Sequence, residues 1–499
     1  MPAIANYRKH LEEIALLSSA HALLEWDQET HIPDKGIQAR SRVIGRISRR
    51  VFELTTSPDL GNLLEELRTD GALSQAERAS VREVGRQYRR RKAIPADEFE
   101  AFTTTCSQAQ AAWAKAREAS DFQAFLPHLE KVVDYQRRFA DYYGYTEHPY
   151  DALLEDYEPG MTLAQLEGIM QPLRDRLAPF IGRLADEGTP PDPSPLQGDF
   201  RLDKQRALAR AALEFIQYDF ECGALDDVEH PFTIAIAYGD VRVTNAYKQD
   251  RLGYGLFGAL HEGGHGLYHQ GMPEELFTLR LEEGSSAGID EAQALIIENQ
   301  LGRGLPFWKA FYPTAVQHFP ELAAHSPEEL YRATNLAEPS MIRIEADEVT
   351  YNLHIMLRTE LESGLIAGDI RPAELPRLWN EAMERYLGIV PQSDAEGVLQ
   401  DVHWSFGYYG YFPSYMLGSL YAAQFHQAML DTVPDLDASL ATGDFAPMLD
   451  WLRGNVHQHG AVYLPGELVE QATGSTLDSS YFLDYIEEKF SAIYRMDRN

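Results

Sequence analysis

Most of the chain has the hydrophobic spacing of amphipathic helices. In residues 7–24, Leu11, Ile14 and Leu17 recur three or four positions apart, so their side chains share one helical face. The same period recurs before residue 190 in five further stretches, which are residues 37–54, 75–91, 96–118, 122–143 and 163–186. The pattern therefore predicts a mainly all-α fold.

Two segments depart from the helical period. Residues 188–195 are rich in proline, which prevents a helix and predicts a surface loop or a boundary between lobes. Residues 232–244 are β-branched and alternating around a turn-like Tyr238-Gly239-Asp240, which predicts a β-hairpin. Such a hairpin either connects two lobes or forms one wall of a cleft, where an edge strand can hold an extended peptide through backbone hydrogen bonds.

Composition excludes several classes of protein. Hydrophobic residues make up 44% of the 499 positions, enough for a large core, so global disorder is excluded. Asp and Glu number 77 against 44 Lys and Arg, and this net charge of −33 argues against binding to nucleic acid or to anionic membranes. The sequence has neither a secretory hydrophobic segment nor an apolar run of about 18 residues, so we expect no membrane span.

The chain has two cysteines, Cys106 and Cys222, which lie far apart in the sequence. They form no spaced cluster with each other or with histidines, so neither a disulfide framework nor a thiolate metal site is expected. We therefore predict a reduced, cytoplasmic protein in which any metal is held by histidine and carboxylate side chains.

The segment with the most specific chemistry is His261-Glu262-Gly263-Gly264-His265. In a helix, two histidines four positions apart lie about 40° apart around the axis, so both imidazoles can reach one metal ion. Glu262 projects about 100° away, which suits it to take a proton from a metal-bound water and not to ligate. The alternative is that the two histidines lie on one helix without binding a metal, because this short motif also occurs by chance.

The flanks of this motif favour the metal interpretation. Leu252, Leu256 and Leu260 recur every four residues and predict a buried helix, in which such a polar cluster would be costly without a metal. The glycines at 263, 264 and 266 remove side chains from the same turn, and we expect them to open room for substrate.

The third metal ligand must come from another segment. His269 is excluded, because eight helical residues place it about 12 Å from His261. Five acidic residues downstream are candidates: Glu282, Glu283, Asp290, Glu291 and Glu298. A second helix is predicted from about Gly288 to Asn299, and we favour Glu291 in its first turn, which would complete a His2Glu site with a fourth position left for water.

With these motifs assembled, the sequence resembles the thermostable metallocarboxypeptidase family, also called the carboxypeptidase Taq family. The resemblance is carried by spaced blocks over most of the chain: residues 26–30 (WDQET), 230–232 (HPF), 240–244 (DVRVT), 261–265 (HEGGH), 289–293 (IDEAQ), 342–348 (IRIEADE) and 397–415. It implies a nearly all-helical, saddle-like protein with a deep central groove, one divalent metal at the floor of the groove, and a homodimer. The matched blocks also lead us to expect one domain, 1–499, with an amino-terminal lobe of about 1–190 over a metal-site core of about 200–499.

The resemblance also implies roles for residues outside the metal motif. It points to His403 and to the tyrosines that follow as donors to the oxyanion; Tyr408, Tyr409 and Tyr411 compete, and we expect Tyr409 and Tyr411. It further implies that Asp240, Arg242 and Thr244 shape the far wall of the cleft. One position departs from the family pattern, because Asp290 stands where a histidine usually precedes the ligating glutamate.

A carboxypeptidase must also bind the terminal carboxylate of its substrate, and an arginine fork matches that group. Arg343 is our first candidate and Arg242 the second. The alternative for each is a purely structural ion pair, of Arg343 with Asp347 and of Arg242 with Asp240 in the hairpin. Gln400 is a further candidate for a hydrogen bond to substrate.

The sequence thus predicts a metal-dependent carboxypeptidase of broad specificity that acts on peptides, with Zn²⁺ expected first and Co²⁺ or Mn²⁺ also compatible. Two alternatives stay open. One is an oligoendopeptidase with the same metal centre, and the other is a non-catalytic helical protein that binds peptides.

Overall fold

The computed structural model describes residues 2–496, which fold into 22 α-helices and one small sheet. The helices are α1 Pro2–Thr30, α2 Ile37–Thr55, α3 Pro58–Leu67, α4 Gln75–Ala93, α5 Ala96–Ala119, α6 Phe122–Tyr143, α7 Pro149–Leu154, α8 Leu163–Glu187, α9 Leu202–Phe215, α10 Leu252–Gln270, α11 Glu274–Thr278, α12 Ala287–Leu295, α13 Leu305–His318, α14 Pro327–Ala333, α15 Tyr351–Ala367, α16 Leu375–Leu387, α17 His403–Phe406, α18 Phe412–Thr432, α19 Leu436–Ala441, α20 Ala446–Asn455, α21 Pro465–Thr473 and α22 Ser480–Ile493. The mainly all-α prediction is confirmed.

The predicted helix boundaries agree closely with the structure, because local capping signals fix them. Ser74 and Glu77 form a capping box at the start of α4, and Thr162 and Gln165 do so at the start of α8. Asp121 accepts a hydrogen bond from the Ala124 backbone N–H at the start of α6. The first helix is longer than predicted at both ends.

The sheet has three strands, β1 Leu225–Asp227, β2 Thr233–Ala237 and β3 Asp240–Asn245, in the order β1–β3–β2. β2 and β3 are the predicted antiparallel hairpin, and Gly239 in its turn has a left-handed φ of 78°. β1 was not predicted; it is three residues long and pairs with β3 in parallel. Within the described residues β2 is therefore an edge strand, with one side free.

Buried apolar side chains form two clusters. The larger runs through most of the chain, from Ala79 to Tyr494. The smaller is built mainly by α1, α3 and the start of α4, where it includes Tyr7, Leu11 and Leu64. The first helices thus have a core of their own.

Three glycines in α10 allow neighbouring backbones to approach this helix. A Cβ on Gly264 would lie 2.6 Å from the Ala294 Cα in α12, and one on Gly263 would lie 2.6 Å from the Leu213 side chain in α9. Gly266 likewise faces the ring of Tyr218. Our prediction that these glycines open room for substrate is therefore wrong: they allow α12 and α9 to pack closely against α10.

Candidate active site

The predicted metal ligands come together in the structure. Nitrogens of His261 and His265, both on α10, and a carboxylate oxygen of Glu291, on α12, all lie within 4.8 Å of one another. Cation bonds of about 2.1 Å require only small adjustments from this spacing. In the part of the chain from 2 to 496, this is the one cluster of its kind.

Both imidazoles are oriented by carboxylates at their Nδ1 atoms. Glu298 lies 3.0 Å from His261 Nδ1, and Asp290 lies 3.0 Å from His265 Nδ1. A carboxylate at Nδ1 holds a proton there and leaves Nε2 free to ligate. Two of the acids that the sequence offered as third ligands therefore contact the histidines from behind, and the third-ligand position falls to Glu291.

These carboxylates create a strong preference for positive charge. Burial lowers the pKa of His261, but Glu298, Glu291 and Glu262 outweigh it and raise that pKa to about 10. Burial raises the pKa of Glu298, yet Arg303 and His261 lower it to about 2. A bound divalent cation meets the same negative field, so the donor set fits the metal that the motif implies.

Glu262 is held from the neighbouring sheet. The hydroxyl of Thr233, the first residue of β2, donates to Glu262 Oε2 at 2.7 Å and lies 3.0 Å from the Glu262 carbonyl oxygen. The side chain is buried, and its other carboxylate oxygen remains available. Thr233 therefore orients the group predicted to act as the base.

Two members of the metal cluster, His261 and Glu291, line a cavity of about 570 Å³. Arg343, Tyr351 and Tyr415 line the same cavity. Arg343 is buried and pairs with Asp401 at 2.9 Å, and it also donates to the Tyr351 hydroxyl at 3.0 Å. The alternative prediction, a structural ion pair between Arg343 and Asp347, is wrong. Asp347 instead accepts hydrogen bonds from the backbone at Val349 and Thr350.

Asp401 is shared between two arginines. Its second oxygen accepts from Arg358 Nε at 2.7 Å, and Arg358 is completely buried. Burial and repulsion from Arg343 lower the pKa of Arg358 to about 10, although Asp401 opposes this shift. Two guanidinium groups against one carboxylate leave an uncompensated positive charge beside the cavity.

Gln400 supports this arginine pair and is not free for substrate. Its Oε1 accepts from the Arg343 backbone N–H at 2.9 Å and from Arg358 Nη2 at 2.8 Å. Its Nε2 donates to two carbonyl oxygens, those of Met341 and Glu396. Because protein partners use both ends of the amide, our prediction that Gln400 binds substrate is not supported by its position.

The tyrosines divide differently from the prediction. Tyr409 is fully buried against Trp404, with ring centroids 6.3 Å apart, so its position does not support the predicted role as an oxyanion donor. Tyr411 instead packs edge-on against Tyr415, with centroids 5.1 Å apart. Negative charge on Glu291 contributes to raising the pKa of both Tyr411 and Tyr415, although burial contributes most. Tyr408 is exposed.

His403 lies beside these tyrosines. Its ring stacks on Tyr411 with centroids 5.8 Å apart, and its Nε2 lies 3.4 Å from the Tyr415 hydroxyl. Burial lowers its pKa to about 4; the charge of Asp401 opposes this shift, and repulsion from Arg343 and Arg358 adds to it. His403 is therefore neutral near pH 7.

The residues predicted for the far wall of the cleft are linked to one another. Asp240 accepts two hydrogen bonds from Arg242, at 2.7 and 2.8 Å, so the expected hairpin pair is confirmed. The Arg242 guanidinium lies 5.6 Å from the centroid of Trp26 on α1. Thr244 is fully buried and exchanges hydrogen bonds with the Phe232 backbone, so it supports the wall from behind and cannot touch substrate.

Four residues at the site were missed in the sequence: Thr233, Tyr351, Arg358 and Tyr415. Their partners are not close neighbours in the sequence: the separation is 8 residues between Tyr351 and Arg343, and 43 residues between Arg358 and Asp401. The local signal for Arg358 was its place directly after the apolar run Ile355-Met356-Leu357, where a buried charge demands a partner.

No helix within residues 2–496 combines the length and the apolar character needed to cross a membrane.

Comparisons with known proteins agree with this geometry. The sequence profile described as carboxypeptidase Taq (M32) metallopeptidase matches residues 6–490. Carboxypeptidase 1 of Bacillus subtilis (strain 168) is 40% identical over 97% of both chains, and thermostable carboxypeptidase 1 of Thermus thermophilus is 40% identical over 99% of both. The crystal structure of an M32 carboxypeptidase from Deinococcus radiodurans R1 superposes with a TM-score of 0.96 at 34% identity, covering 99% of this chain and 100% of that one.

Proposed function

Because the chain belongs to the carboxypeptidase Taq (M32) metallopeptidase family and is therefore a metallocarboxypeptidase, we propose that it removes C-terminal residues from peptides with broad specificity and uses Glu262 as its base. The observation that carries the proposal is the content of one cavity. The cavity is lined by His261 and Glu291 of the metal cluster, with His265 beside them, and by Arg343, whose excess charge Arg358 reinforces from behind.

In this proposal Nε2 of His261, Nε2 of His265 and the carboxylate of Glu291 would hold the metal. A divalent cation there would polarise the scissile carbonyl and lower the pKa of a water molecule. Zn²⁺ fits two imidazoles and one carboxylate, and Co²⁺ and Mn²⁺ accept the same donors.

Glu262 takes the proton of the attacking water. Thr233 fixes one of its carboxylate oxygens, so the other is presented to the cavity in a single orientation. After attack, the same carboxyl group can give that proton to the leaving nitrogen of the peptide bond.

Arg343 anchors the terminal carboxylate of the substrate. Its charge is shared with Arg358 against one Asp401, so a second carboxylate completes the charge balance of the cluster. Arg343 sits in the cavity and Arg358 lies behind it, which makes Arg343 the binding group and Arg358 its support.

Tyr411, with Tyr415 beside it, supplies the hydroxyl groups for the developing oxyanion. His403 is neutral near pH 7 and contacts both rings, so it orients these phenols without adding a charge.

Two features support broad specificity. The cavity wall includes aliphatic and aromatic side chains, such as Leu196, Tyr254 and Ile344, which can contact many kinds of substrate side chain. The free side of β2 borders the neighbouring groove, where its backbone can hold the rest of the peptide whatever the side chains.

The test is hydrolysis of an N-blocked dipeptide by a sample whose metal content is measured. We expect release of the terminal amino acid, complete loss after chelation, and recovery after addition of Zn²⁺ or Co²⁺. Full activity in the chelated protein contradicts the proposal. An equally good substrate with an amidated C-terminus would favour an endopeptidase, and a metal-free protein without hydrolysis would favour a binding role.

Three further expectations belong to the proposal. The free thiols of Cys106 and Cys222 support a reduced, cytoplasmic location. The family resemblance supports a homodimer, which sedimentation equilibrium would test. We also expect residues 1–499 to unfold as one domain, although the small core of the first helices gives an amino-terminal lobe a basis of its own.

A further inference from the structure

The amino end of α12 is covered by a turn from a distant part of the chain. The Ala287 N–H donates to the Tyr157 carbonyl oxygen at 3.0 Å, and the Gly288 N–H donates to Glu158 Oε1 at 2.6 Å. The Ile289 N–H donates to the Ser286 hydroxyl at 3.1 Å. These are the first N–H groups of the helix, which have no partner inside it. The turn after α7 therefore supplies two of the three caps.

Glu158 is completely buried at this contact. Burial raises its pKa to about 7, although the nearby hydroxyls of Ser414 and Ser286 and the Gly288 backbone N–H oppose that shift. A buried acid is costly unless it has partners, and this one lies among the hydroxyls and backbone donors at a helix amino terminus, where negative charge is favourable.

Two neighbouring glycines show how closely Glu158 and α18 pack against α12. A Cβ on Gly288 would lie 2.8 Å from Glu158 Oε1, so only glycine leaves the carboxylate its place. A Cβ on Gly418, in α18, would lie 2.6 Å from Cγ of Glu291. The helix that carries Glu291 is thus fixed at its end by Glu158 and along its side by α18.

The same turn also reaches the tyrosines. The ring of Tyr157 packs edge-on against Tyr411, with centroids 5.0 Å apart. One short segment therefore contacts both the helix of the proposed metal ligand and the proposed oxyanion donor.

We propose that Glu158 is a positioning residue for Glu291: by capping α12 it sets the height of the Glu291 carboxylate relative to His261 and His265. The proposal rests on the proposed metal site. Glu158 lies about 100 positions before His261 in the sequence. In this proposal it influences metal affinity directly without contacting substrate.

The chain offers a matched control in Glu362. It is equally buried, and burial likewise raises its pKa to about 7. Its partners are Tyr150, Trp404 and the Gly410 N–H, at 2.7, 2.8 and 3.1 Å. Glu362 therefore holds the tyrosine loop and not the metal-ligand helix.

The experiment measures Zn²⁺ affinity by competition with a chelating dye, together with the thermal stability of each metal-free protein. We expect Glu158→Ala to weaken binding by about tenfold or more, within the range for groups that orient ligands. Glu158→Gln keeps an oxygen that can accept from Gly288 and should stay within about threefold of wild type. Glu362→Ala should also stay within about threefold, even where it lowers stability as much.

Gly288→Ala should weaken Zn²⁺ binding independently, by displacing the Glu158 carboxylate. It tests the proposal even if Glu158→Ala does not fold. Alanine favours helix, so helix propensity alone predicts no loss of affinity, whereas displacement of the carboxylate predicts about tenfold weaker binding. The proposal is overturned if Glu158→Ala and Gly288→Ala bind Zn²⁺ like wild type, or if Glu362→Ala weakens binding equally. A wild-type protein that binds no Zn²⁺ refutes the proposed metal site instead.

Discussion

The two halves of the active-site cavity carry opposite charge imbalances. Around the metal cluster, four carboxylates, those of Glu262, Asp290, Glu291 and Glu298, face the single guanidinium of Arg303. Around Arg343, two guanidinium groups face one carboxylate. An excess of buried negative charge requires a cation, and an excess of buried positive charge requires an anion. This difference supports our proposal that a divalent metal balances the charge of one half and a substrate carboxylate that of the other.

The strongest test of the metal half is Glu262→Gln. Loss of a general base should lower kcat by about 10²–10⁴-fold, while the zinc content stays the same because the ligands are untouched. Hydrolysis of an N-blocked dipeptide and elemental analysis of the same sample measure the two quantities. Glu381→Gln, at an exposed acid on α16 that lines neither the cavity nor the neighbouring groove, serves as the control and should keep wild-type activity. A Glu262→Gln enzyme with nearly full activity would remove Glu262 from the mechanism.

The corresponding test of the arginine half is Arg343→Ala. Loss of one member of a buried charge pair costs about 2–5 kcal/mol, so kcat/KM for peptides with a free carboxylate should fall by at least about 30-fold. The slow hydrolysis of the matching C-terminal amide should hardly change, since it has no carboxylate to lose. Arg242→Ala should cost less, because Arg242 does not line the cavity. Equal losses on acid and amide would exclude Arg343 as the anchor.

Two isosteric Asp→Asn changes test the metal half and the arginine half of the cavity separately. Asp290→Asn should weaken metal binding by about 10–100-fold, because Asp290 orients His265. Asp401→Asn should leave metal affinity near wild type and raise KM, since it disturbs only the arginines. Chelator competition measures the metal affinity of both variants, and steady-state kinetics measures their KM. Weaker metal binding in Asp401→Asn, with a raised KM only in Asp290→Asn, would contradict the separate roles of the two halves.

The smallest expected effect is the dependence of stability on pH through His403. The unfolded chain binds this proton near pH 6.5, but the folded protein binds it only near pH 4. Between these values the unfolded state holds more protons, so stability is lost as the pH falls, by about 3 kcal/mol at most. His403→Gln should therefore lose less stability than wild type between pH 7 and pH 4 in urea titrations. His128→Gln on α6 is the control, and an identical loss in all three proteins would contradict the assignment.

Much of the fold was readable in the sequence because helices are specified locally. The window predicted for residues 122–143 matches α6 at both ends, since Asp121 caps its start and Gly144 follows its end. β1 was missed because three residues carry too little pattern, and its pairing with β3 depends on a distant segment. The role of the α10 glycines was misread for a similar reason: the sequence shows that side chains are absent but not which backbone fills the space.

The sequence by itself determined the pair of His261 and His265 and the separate direction of Glu262, because one helix fixes their angles. It narrowed the third ligand to five acids and favoured Glu291. The tertiary structure was needed to show that Asp290 and Glu298 contact the histidines from behind and that Asp401 joins two arginines. It also showed that Tyr411 packs on Tyr415 of the cavity wall, whereas Tyr409 is buried against Trp404. Local geometry is set by bonded neighbours and a fixed helical period. Contacts between distant segments depend on how whole helices pack, which no local pattern encodes.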